Sequence, residues 1–173
     1  GACLVGQFSD GEPRIEIHEN IRGKNVYVMQ STCEPCGRNL VELCLMIDTC
    51  VRAAAKSVTA VLPYFGLARQ DRKVKSRVPI SASWAANAIR QSGADQLMCI
   101  DLHAGQIQGF LRCPFDNLFA RPVFLRYIEG HFHEKTRETI VVVSPDANGT
   151  ERARALGRRL NNMPIAVIDK RRP

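Results

Sequence analysis

Apolar residues along the chain follow two alternating patterns. Short runs rich in β-branched residues have the length and composition of strands, and they lie at residues 25–30, 58–63, 96–101, 139–146 and 164–170. Longer segments between them repeat apolar residues every three or four positions, as amphipathic helices do, and they lie at residues 38–56, 81–93, 121–132 and 149–160. The first helical segment carries one apolar stripe, formed by Leu40, Leu43, Ile47 and Val51. The pattern therefore predicts strands and helices in alternation.

This alternation indicates an α/β fold with a parallel sheet. The later apolar runs are continuous, which is typical of strands that are buried on both faces. Gly93 suits the C-cap of the second helix, and Pro122 suits the first turn of the third. A polar stretch at residues 129–138 marks the boundary between two α/β units.

Charged and polar side chains follow four of the predicted strands, at the point where each strand ends. They belong to a basic loop, ARQDRKVKSR at residues 68–77, and to shorter groups at residues 101–103, 144–146 and 169–172. In open α/β sheets, ligands bind at the carboxyl ends of the strands. Side chains of these kinds hold phosphates, metal ions or sugar hydroxyls, so the sequence predicts a ligand site at this edge.

The basic loop and the Asp-Leu-His group each allow two interpretations. The loop carries five cations and one carboxylate, Asp71, so it is either a polyphosphate site or a solvated surface loop. Asp101 and His103 could ligate one Mg²⁺ ion, which needs few protein ligands because water and phosphate oxygens complete its shell. Alternatively, Asp101 caps a turn and His103 is only polar. The segment AGQIQGF that follows suits a close-packed loop and favours the functional interpretation.

Two groups near the C-terminus are ambiguous in the same way. Asp146 could accept hydrogen bonds from sugar hydroxyls beside a phosphate at a helix N-terminus, although an ordinary aspartate N-cap explains the same residues better. Lys170 and Arg172 could stabilise charge on a transferred phosphoryl group. A solvated basic turn is the commoner meaning of such a run.

The segment FSDGE near the N-terminus also has two interpretations. Phe8 could stack on a base, with Asp10 and Glu12 accepting hydrogen bonds from an exocyclic amine. A β-hairpin turn built on the Asp-Gly pair explains the same residues without any ligand.

Overall charge and cysteine content limit the classes of partner and compartment. The net charge of +7 and the pI near 9.3 favour anionic partners. The chain lacks the continuous basic stripe of nucleic-acid-binding proteins, and it lacks the run of roughly 18 apolar residues that spans a membrane. Cys33 and Cys36 form a CEPC pair that has the spacing of a zinc or redox motif, but no second pair is spaced to complete a zinc site, and reduced thiols are the simpler interpretation. We therefore expect reduced thiols and a cytoplasmic protein.

The order and spacing of these motifs closely resemble the ribose-phosphate pyrophosphokinase family, whose members are also called phosphoribosyl diphosphate synthases. The resemblance covers essentially the whole chain, and its motifs are FSDGE, ENIRGKNVYVMQST, PYFGLARQDRKVKSRVPISA, GADQLMCIDLHAGQIQGFL, PFDNL, VVVSPDANGTERA and IDKRRP. It implies a phosphoribosyltransferase-like parallel sheet flanked by helices. Residues 1–136 are then a first domain without its first strand and helix, and residues 137–173 begin a second, similar domain.

The resemblance also implies an activity. The family transfers the diphosphoryl group of MgATP to the 1-hydroxyl of ribose 5-phosphate, which gives phosphoribosyl diphosphate and AMP for nucleotide biosynthesis. Its members are homo-oligomers in which dimers assemble into larger rings, and neither nucleic acid nor membrane is a partner.

Matching the motifs residue by residue implies a role for each candidate. The ATP site comprises Phe8, Asp10, Glu12, Arg69, Gln70, Asp71 and His103. The first three of these face the adenine across a subunit interface. The Mg²⁺ site comprises Asp101, His103 and Asp116. Asp146 binds ribose hydroxyls of ribose 5-phosphate, and the catalytic residues Lys170 and Arg172 steady the transition state.

Four positions depart from the usual pattern of the family. Leu67 replaces a Tyr, Asn148 replaces a Gly, and Val74 and Arg112 stand where many members have acidic or other polar residues. The alternative function is that of a non-catalytic relative which associates with the synthase and regulates it. Such relatives tend to lose the ARQDRK residues, and the intact motif here favours the catalytic interpretation.

Overall fold

A computed structural model describes residues 1–132 and 139–169, which fall into two compact units, Gly1–Leu118 and Phe119–Pro173. The helix at Arg121–His131 precedes the predicted domain boundary at residue 136, and it groups with the second unit. The assignment of residues 1–136 and 137–173 to two phosphoribosyltransferase-like domains stays a prediction.

The first unit begins with a β-hairpin and continues as a parallel sheet. Strands β1 (Cys3–Gln7) and β2 (Pro13–Ile17) pair antiparallel. The next four strands form the sheet in the order of the chain, and they are β3 (Asn25–Met29), β4 (Ser57–Leu62), β5 (Gln96–Ile100) and β6 (Phe115–Leu118). The connections contain α1 (Cys36–Arg52), α2 (Ser81–Gln91) and a 3₁₀ helix (Gly105–Phe110). All three strand pairs are parallel, so the predicted α/β fold class is confirmed.

The core of this unit lies between the helices and the sheet. Leu43 and Ile47 of α1, Ile89 of α2 and Leu97 of β5 are completely buried. Full burial of one such side chain stabilises the folded state by about 1.5–3 kcal/mol. The apolar stripe and the continuous strands therefore supply most of the driving force that holds the sheet edge in place.

The three strands that the sequence predicts in this unit are confirmed, whereas the first helix differs from its prediction. Helix α1 ends at Arg52, because Ala54 adopts the left-handed conformation with φ +57° and turns the chain toward β4. Val51 was predicted on the apolar stripe with Ile47, and it lies at the rim of the core, where it is 46% exposed. Cys50 takes the buried place, since it continues the helical spacing from Ile47.

One helix terminus of this unit follows the prediction, and one strand was missed. Gly93 has φ +111° just after α2, as expected for a glycine that ends a helix. Strand β6 was not predicted, because its four residues, FDNL, include an Asp and an Asn and lack the apolar run of a buried strand.

The second unit contains two helices and a pair of short strands. Helix α3 (Arg121–His131) has Pro122 in its first turn, as predicted. Strand β7 (Val142–Ser144) leads through a short 3₁₀ turn (Ala147–Gly149) into α4 (Thr150–Arg159), and strand β8 (Ile165–Val167) follows. The two strands pair in parallel, and α4 packs against both.

The prediction that these later strands are buried on both faces is wrong for the described chain. Four large apolar side chains of this region are about half exposed, and they are Val141, Val143, Val167 and Ile168. Two strands of three residues give α4 only a narrow surface to cover, so the outward-facing side chains remain accessible. No helix in the described ranges is long and apolar enough to cross a membrane.

Candidate functional site

The candidate site lies at the carboxyl edge of the sheet of the first unit. Because β3, β4 and β5 are parallel, the loops that follow them leave the sheet on the same side. The loop after β4 contains the basic segment at residues 68–77, and the loop after β5 contains Asp101 and His103. Two of the four predicted groups therefore share one edge.

Thr32 and Gly66 join the loops after β3 and β4. The Thr32 hydroxyl accepts a hydrogen bond from the Gly66 N–H at 2.7 Å and donates one to the Tyr64 carbonyl at 3.1 Å. Thr32 is buried, and a Cβ on Gly66 would lie 2.1 Å from its carbonyl oxygen. Only glycine fits here. Neither residue could be predicted from the sequence, because a steric requirement between two loops leaves no periodic signal.

The basic loop is anchored to the first turn of α2. The Ser81 hydroxyl donates to the Leu67 carbonyl at 2.7 Å, and the Ala82 N–H donates to the Gln70 carbonyl at 3.2 Å. Leu67 and Arg77 both adopt left-handed backbone conformations, with φ +60° and +59°. Such a conformation costs about 1–2 kcal/mol for a residue with a Cβ, so the anchors hold a strained loop in place.

A hydrogen bond between Asp71 and Gln106 connects the basic loop to the loop after β5. The Gln106 side-chain amide donates to the Asp71 carboxylate at 2.5 Å. Asp71 belongs to the ARQDRK motif and Gln106 to DLHAGQIQGF, so the two most specific motifs of the sequence contact each other. Arg69 and Gln70 precede Asp71 and are exposed, as is His103.

Positive charge concentrates on the exposed surface of the basic loop. Its five cations are exposed, and none of them forms an ion pair within residues 1–132 and 139–169; they are Arg69, Arg72, Lys73, Lys75 and Arg77. Cations that the protein itself leaves uncompensated attract polyanions from solution. The loop is therefore suited to a polyphosphate, whose charge would replace the missing counter-ions.

Asp101 occupies a strained position at the end of β5. Its φ is +49°, a left-handed conformation that is uncommon for residues other than glycine. Its N–H donates to the Leu118 carbonyl at the end of β6 at 2.8 Å, and the Leu102 N–H donates to the Asn117 side chain at 3.0 Å. The sheet thus fixes the backbone that presents this carboxylate, which is the type of strain found at functional sites.

The predicted metal ligands do not all lie together. Asp101 and His103 share the loop after β5, whereas Asp116 lies opposite Met98 in the sheet, three residues and roughly 10 Å before Asp101 along the strand. The Asp116 carboxylate accepts a hydrogen bond from Gln96 at 2.6 Å, farther still from that edge. Asp101 and His103 therefore lie on one loop, and the structure leaves Asp116 apart from that loop.

The carboxyl edge suits Mg²⁺ only when a bound substrate supplies further oxygen ligands. No group of three or more His, Cys, Asp or Glu in the described part of the chain could hold a metal ion by itself. Mg²⁺ commonly uses one or two carboxylates and takes its remaining ligands from water and substrate phosphates. Asp101 with His103 fits an ion that arrives with a polyphosphate, and does not fit an all-protein cage.

The segment FSDGE forms the loop of the β1–β2 hairpin. The Phe8 N–H donates to the Glu12 carbonyl at 2.8 Å, and the Asp10 carboxylate accepts from the Glu12 N–H at 3.1 Å. The Phe8 ring is 52% exposed, and the Arg14 guanidinium lies 5.8 Å from its centroid. The hairpin interpretation therefore describes the local structure, and an aromatic face remains accessible at its tip.

Asp146 belongs to the second unit, where it caps a turn. Its carboxylate accepts a hydrogen bond from the Gly149 N–H at 2.9 Å, and its carbonyl accepts one from the Ser144 hydroxyl at 2.7 Å. The N-cap interpretation thus describes its contacts. An open cavity of about 570 Å³ adjoins this turn, and its lining includes Asn148, Thr150, Glu151, Arg154 and Arg158. Lys170 and Arg172 lie outside the described residues.

Comparisons with known proteins all point to one family. A sequence model of the N-terminal domain of ribose phosphate pyrophosphokinase matches residues 1–93. The ribose-phosphate pyrophosphokinase of Ralstonia nicotianae is 49% identical over 100% of this chain and 54% of its own length. That of Agrobacterium fabrum is 51% identical over 99% of this chain and 54% of its own length.

A solved structure is similar over nearly the whole chain. It is the crystal structure of phosphoribosylpyrophosphate synthetase from Mycobacterium smegmatis, with a TM-score of 0.86 and 38% identity. The similarity covers 99% of this chain and 57% of that chain. The chain therefore spans about half the length of the relatives that it matches.

Proposed function

Since the chain belongs to the ribose-phosphate pyrophosphokinase family, we propose that it supplies the nucleotide-binding part of an enzyme that makes phosphoribosyl diphosphate. The reaction transfers the diphosphoryl group of MgATP to the 1-hydroxyl of ribose 5-phosphate and releases AMP. The contact between the ARQDRK and DLHAGQIQGF motifs, through Asp71 and Gln106, is the observation that carries the proposal. It connects a cationic loop to a carboxylate and an imidazole at one edge of the sheet.

In this proposal the basic loop binds the triphosphate. Arg69 and Gln70 are exposed at the start of the loop, next to the Asp71–Gln106 hydrogen bond, so their side chains can reach phosphate oxygens. Asp71 orients the loop through Gln106. Diphosphoryl transfer requires little covalent help from the protein, because positioning and charge compensation provide most of the rate enhancement.

Asp101 and His103 hold the Mg²⁺ that accompanies ATP. Bound Mg²⁺ neutralises charge on the phosphate oxygens that develops during transfer. The strained backbone of Asp101 fixes its carboxylate, and the exposure of His103 allows its imidazole to contact the incoming nucleotide. Asp116, held by Gln96 away from this edge, has the weakest case among the predicted metal ligands.

The remaining roles concern groups outside this edge. Phe8 stacks on the adenine of a nucleotide bound by another subunit of a homo-oligomer, and Asp10 and Glu12 accept from its amine. The exposed ring and carboxylates at the hairpin tip support this role. Asp146 binds ribose hydroxyls with the part of its carboxylate that does not cap the turn. The enzyme acts in the cytoplasm, where ATP is available.

Release of AMP that depends on ribose 5-phosphate tests the proposal. The full chain is compared with its Lys170→Ala variant and with Lys56→Ala, which removes an exposed lysine just before β4. We expect Lys170→Ala to lower the rate by about 100-fold, as loss of one charge-stabilising group does, and Lys56→Ala to leave it within a factor of about two. AMP release that ribose 5-phosphate does not stimulate, or that survives the loss of Lys170, would contradict the proposal.

A further inference from the structure

Two free thiols, Cys33 and Cys36, lie beside the first turn of α1. Cys33 is exposed and Cys36, the first residue of the helix, is half-buried. The Asn39 side chain donates to the Cys33 carbonyl at 3.0 Å, and its nitrogen lies 4.0 Å from the Cys33 sulfur. Since Cys36 and Asn39 belong to the same helical turn, the Cys33 thiol lies against the turn that carries its neighbour.

The Cys36 sulfur packs on the loop that contains the basic segment. A Cβ on Gly66 would lie 2.7 Å from this sulfur, so the thiol fills the space directly beside the glycine. The same glycine is fixed by the hydrogen bond from its N–H to the Thr32 hydroxyl. The sulfur therefore belongs to the packing that fixes the start of the basic loop, three residues before Arg69.

A metal role for this pair lacks ligands, whereas a disulfide needs none. The described residues contain no cluster of three or more His, Cys, Asp or Glu that could hold an ion with it. Two cysteines separated by two residues can form a disulfide when the chain bends between them, and residues 34 and 35 form such a bend.

We propose that Cys33 and Cys36 are a reversible dithiol–disulfide pair that controls the packing of the basic loop. The oxidant is a low-molecular-weight disulfide. The exposed Cys33 thiolate attacks one of its sulfurs and releases the other as a thiolate, which takes up a proton and becomes the first thiol. The Cys36 thiolate then attacks the Cys33 sulfur of the mixed disulfide and releases the second thiol. Two cysteine thiols are oxidised, and one external disulfide is reduced to two thiols.

Oxidation acts on the loop because the Cys36 sulfur that packs beside Gly66 becomes covalently bonded to Cys33. In the disulfide, the Cys36 sulfur is bonded to that of Cys33, at about 2 Å. We expect this bond to shift the Cys36 sulfur relative to Gly66 and to weaken the packing at the start of the basic loop. We expect the loop to open more often. An effect on nucleotide binding rests on the proposed function, but disulfide formation and loop opening do not.

The test treats the full chain with oxidised glutathione or with excess dithiothreitol and measures two properties. Mass spectrometry should show a Cys33–Cys36 link and a loss of about 2 Da in the oxidised monomer. Limited trypsin digestion then reports on the loop, because the segment at residues 69–77 contains five trypsin sites. We expect cleavage there to be at least about threefold faster after oxidation, since trypsin cuts the open form, with cleavage at Arg52 and Lys56 unchanged.

Two cysteine variants make the test specific. Cys33→Ser should abolish both the link and the change in cleavage, whereas Cys3→Ser, which removes an exposed thiol from β1, should preserve both. Absence of the Cys33–Cys36 link in the oxidised wild type would overturn the proposal. A link that forms without changing cleavage of the basic loop would overturn it as well. Both readouts are independent of ATP, so failure of the proposed function would be recognised separately.

Discussion

The two compact units of the chain use similar apolar segments with different results. In the first unit, two helices cover a sheet of four parallel strands, and Leu43, Ile47 and Leu97 are completely buried. In the second unit, α4 packs on two strands of three residues, and Val143 and Val167 stay about half exposed. A continuous apolar run thus indicates that a segment tends to form a strand. That strand is buried only when enough neighbouring layers of secondary structure cover it.

This difference has a consequence for function. The carboxyl edge of the first unit has a strained Asp101, a steric requirement for Gly66 and an Asp71–Gln106 bond between its loops. Such features persist only where a packed core holds them. The proposed nucleotide site therefore belongs to the first unit, and the following predictions test whether the two units differ in the way that this proposal requires.

The largest expected effect is on the core of the first unit. Leu97→Ala should lower the free energy of unfolding by about 2–5 kcal/mol, because it removes a fully buried side chain from a central strand. Val143→Ala, the matched change in the second unit, should cost less than about 0.5 kcal/mol, because its side chain is 54% exposed. Urea unfolding of both variants measures the two losses in the free energy of unfolding. Similar losses for the two would contradict the comparison.

A second pair of substitutions compares a glycine of the candidate site, Gly66, with a glycine in the turn that Asp146 caps, Gly149. Gly66→Ala should destabilise the first unit by about 2–3 kcal/mol, because the new Cβ meets the Thr32 backbone carbonyl. Gly149→Ala should cost about 1 kcal/mol, because its Cβ would lie 2.7 Å from the Ser144 hydroxyl. This hydroxyl can rotate away, but it then loses its hydrogen bond to the Asp146 carbonyl. Thermal unfolding of the two variants measures these losses of stability.

Gly109→Ala is the control for these glycine substitutions, because no heavy atom lies within 4 Å of the added Cβ. Its stability should stay within about 0.5 kcal/mol of wild type. A Gly66→Ala protein as stable as this control would show that the Thr32–Gly66 contact does not hold the loops.

A smaller loss of stability should appear at alkaline pH, when cysteine thiols titrate. It should concern only the first unit, which contains all seven cysteines. Burial raises the pKa of Cys99 to about 12, whereas the thiol of the unfolded chain has an ordinary pKa of 9.0. Between these values the unfolded chain releases a proton that the folded chain keeps, so the stability from this group is complete below pH 9 and declines as pH rises toward 12. The decline is about 1.4 kcal/mol per pH unit.

The Cys99→Ala variant isolates this contribution from other groups that titrate at high pH. Its free energy of unfolding, measured in urea at pH 8, 9 and 10, should fall less steeply with pH than that of the wild type. Parallel pH profiles for the two proteins would mean that Cys99 is not the group responsible.

Much of the first unit could be predicted from local patterns, because its strands are apolar runs and its helices have an apolar stripe. Strand β6 could not, since a four-residue edge strand with two polar residues depends on its pairing with β5. The end of α1 was also missed, because the left-handed Ala54 is imposed by the connection to β4.

The candidate site shows the same limit. Parallel strands end at one edge, so the convergence of residues 68–77 with residues 101–106 could be anticipated from strand order. The roles of Thr32 and Gly66 could not, because they depend on a contact between loops that are distant in sequence. The separation of Asp116 from Asp101 likewise required the register of β6 against β5, which the sequence alone does not give.

The most direct test of the assignment is the affinity of the full chain for MgATP, measured by calorimetry for the wild type, Arg69→Ala and Arg52→Ala. Arg52 is an exposed arginine at the end of α1 that pairs with Asp48, so it serves as the matched control. If the basic loop binds the triphosphate, Arg69→Ala should weaken binding at least about tenfold, the loss of a charge-assisted hydrogen bond, and Arg52→Ala should not. Equal affinities for wild type and Arg69→Ala would contradict the placement of the nucleotide site at this edge of the first unit.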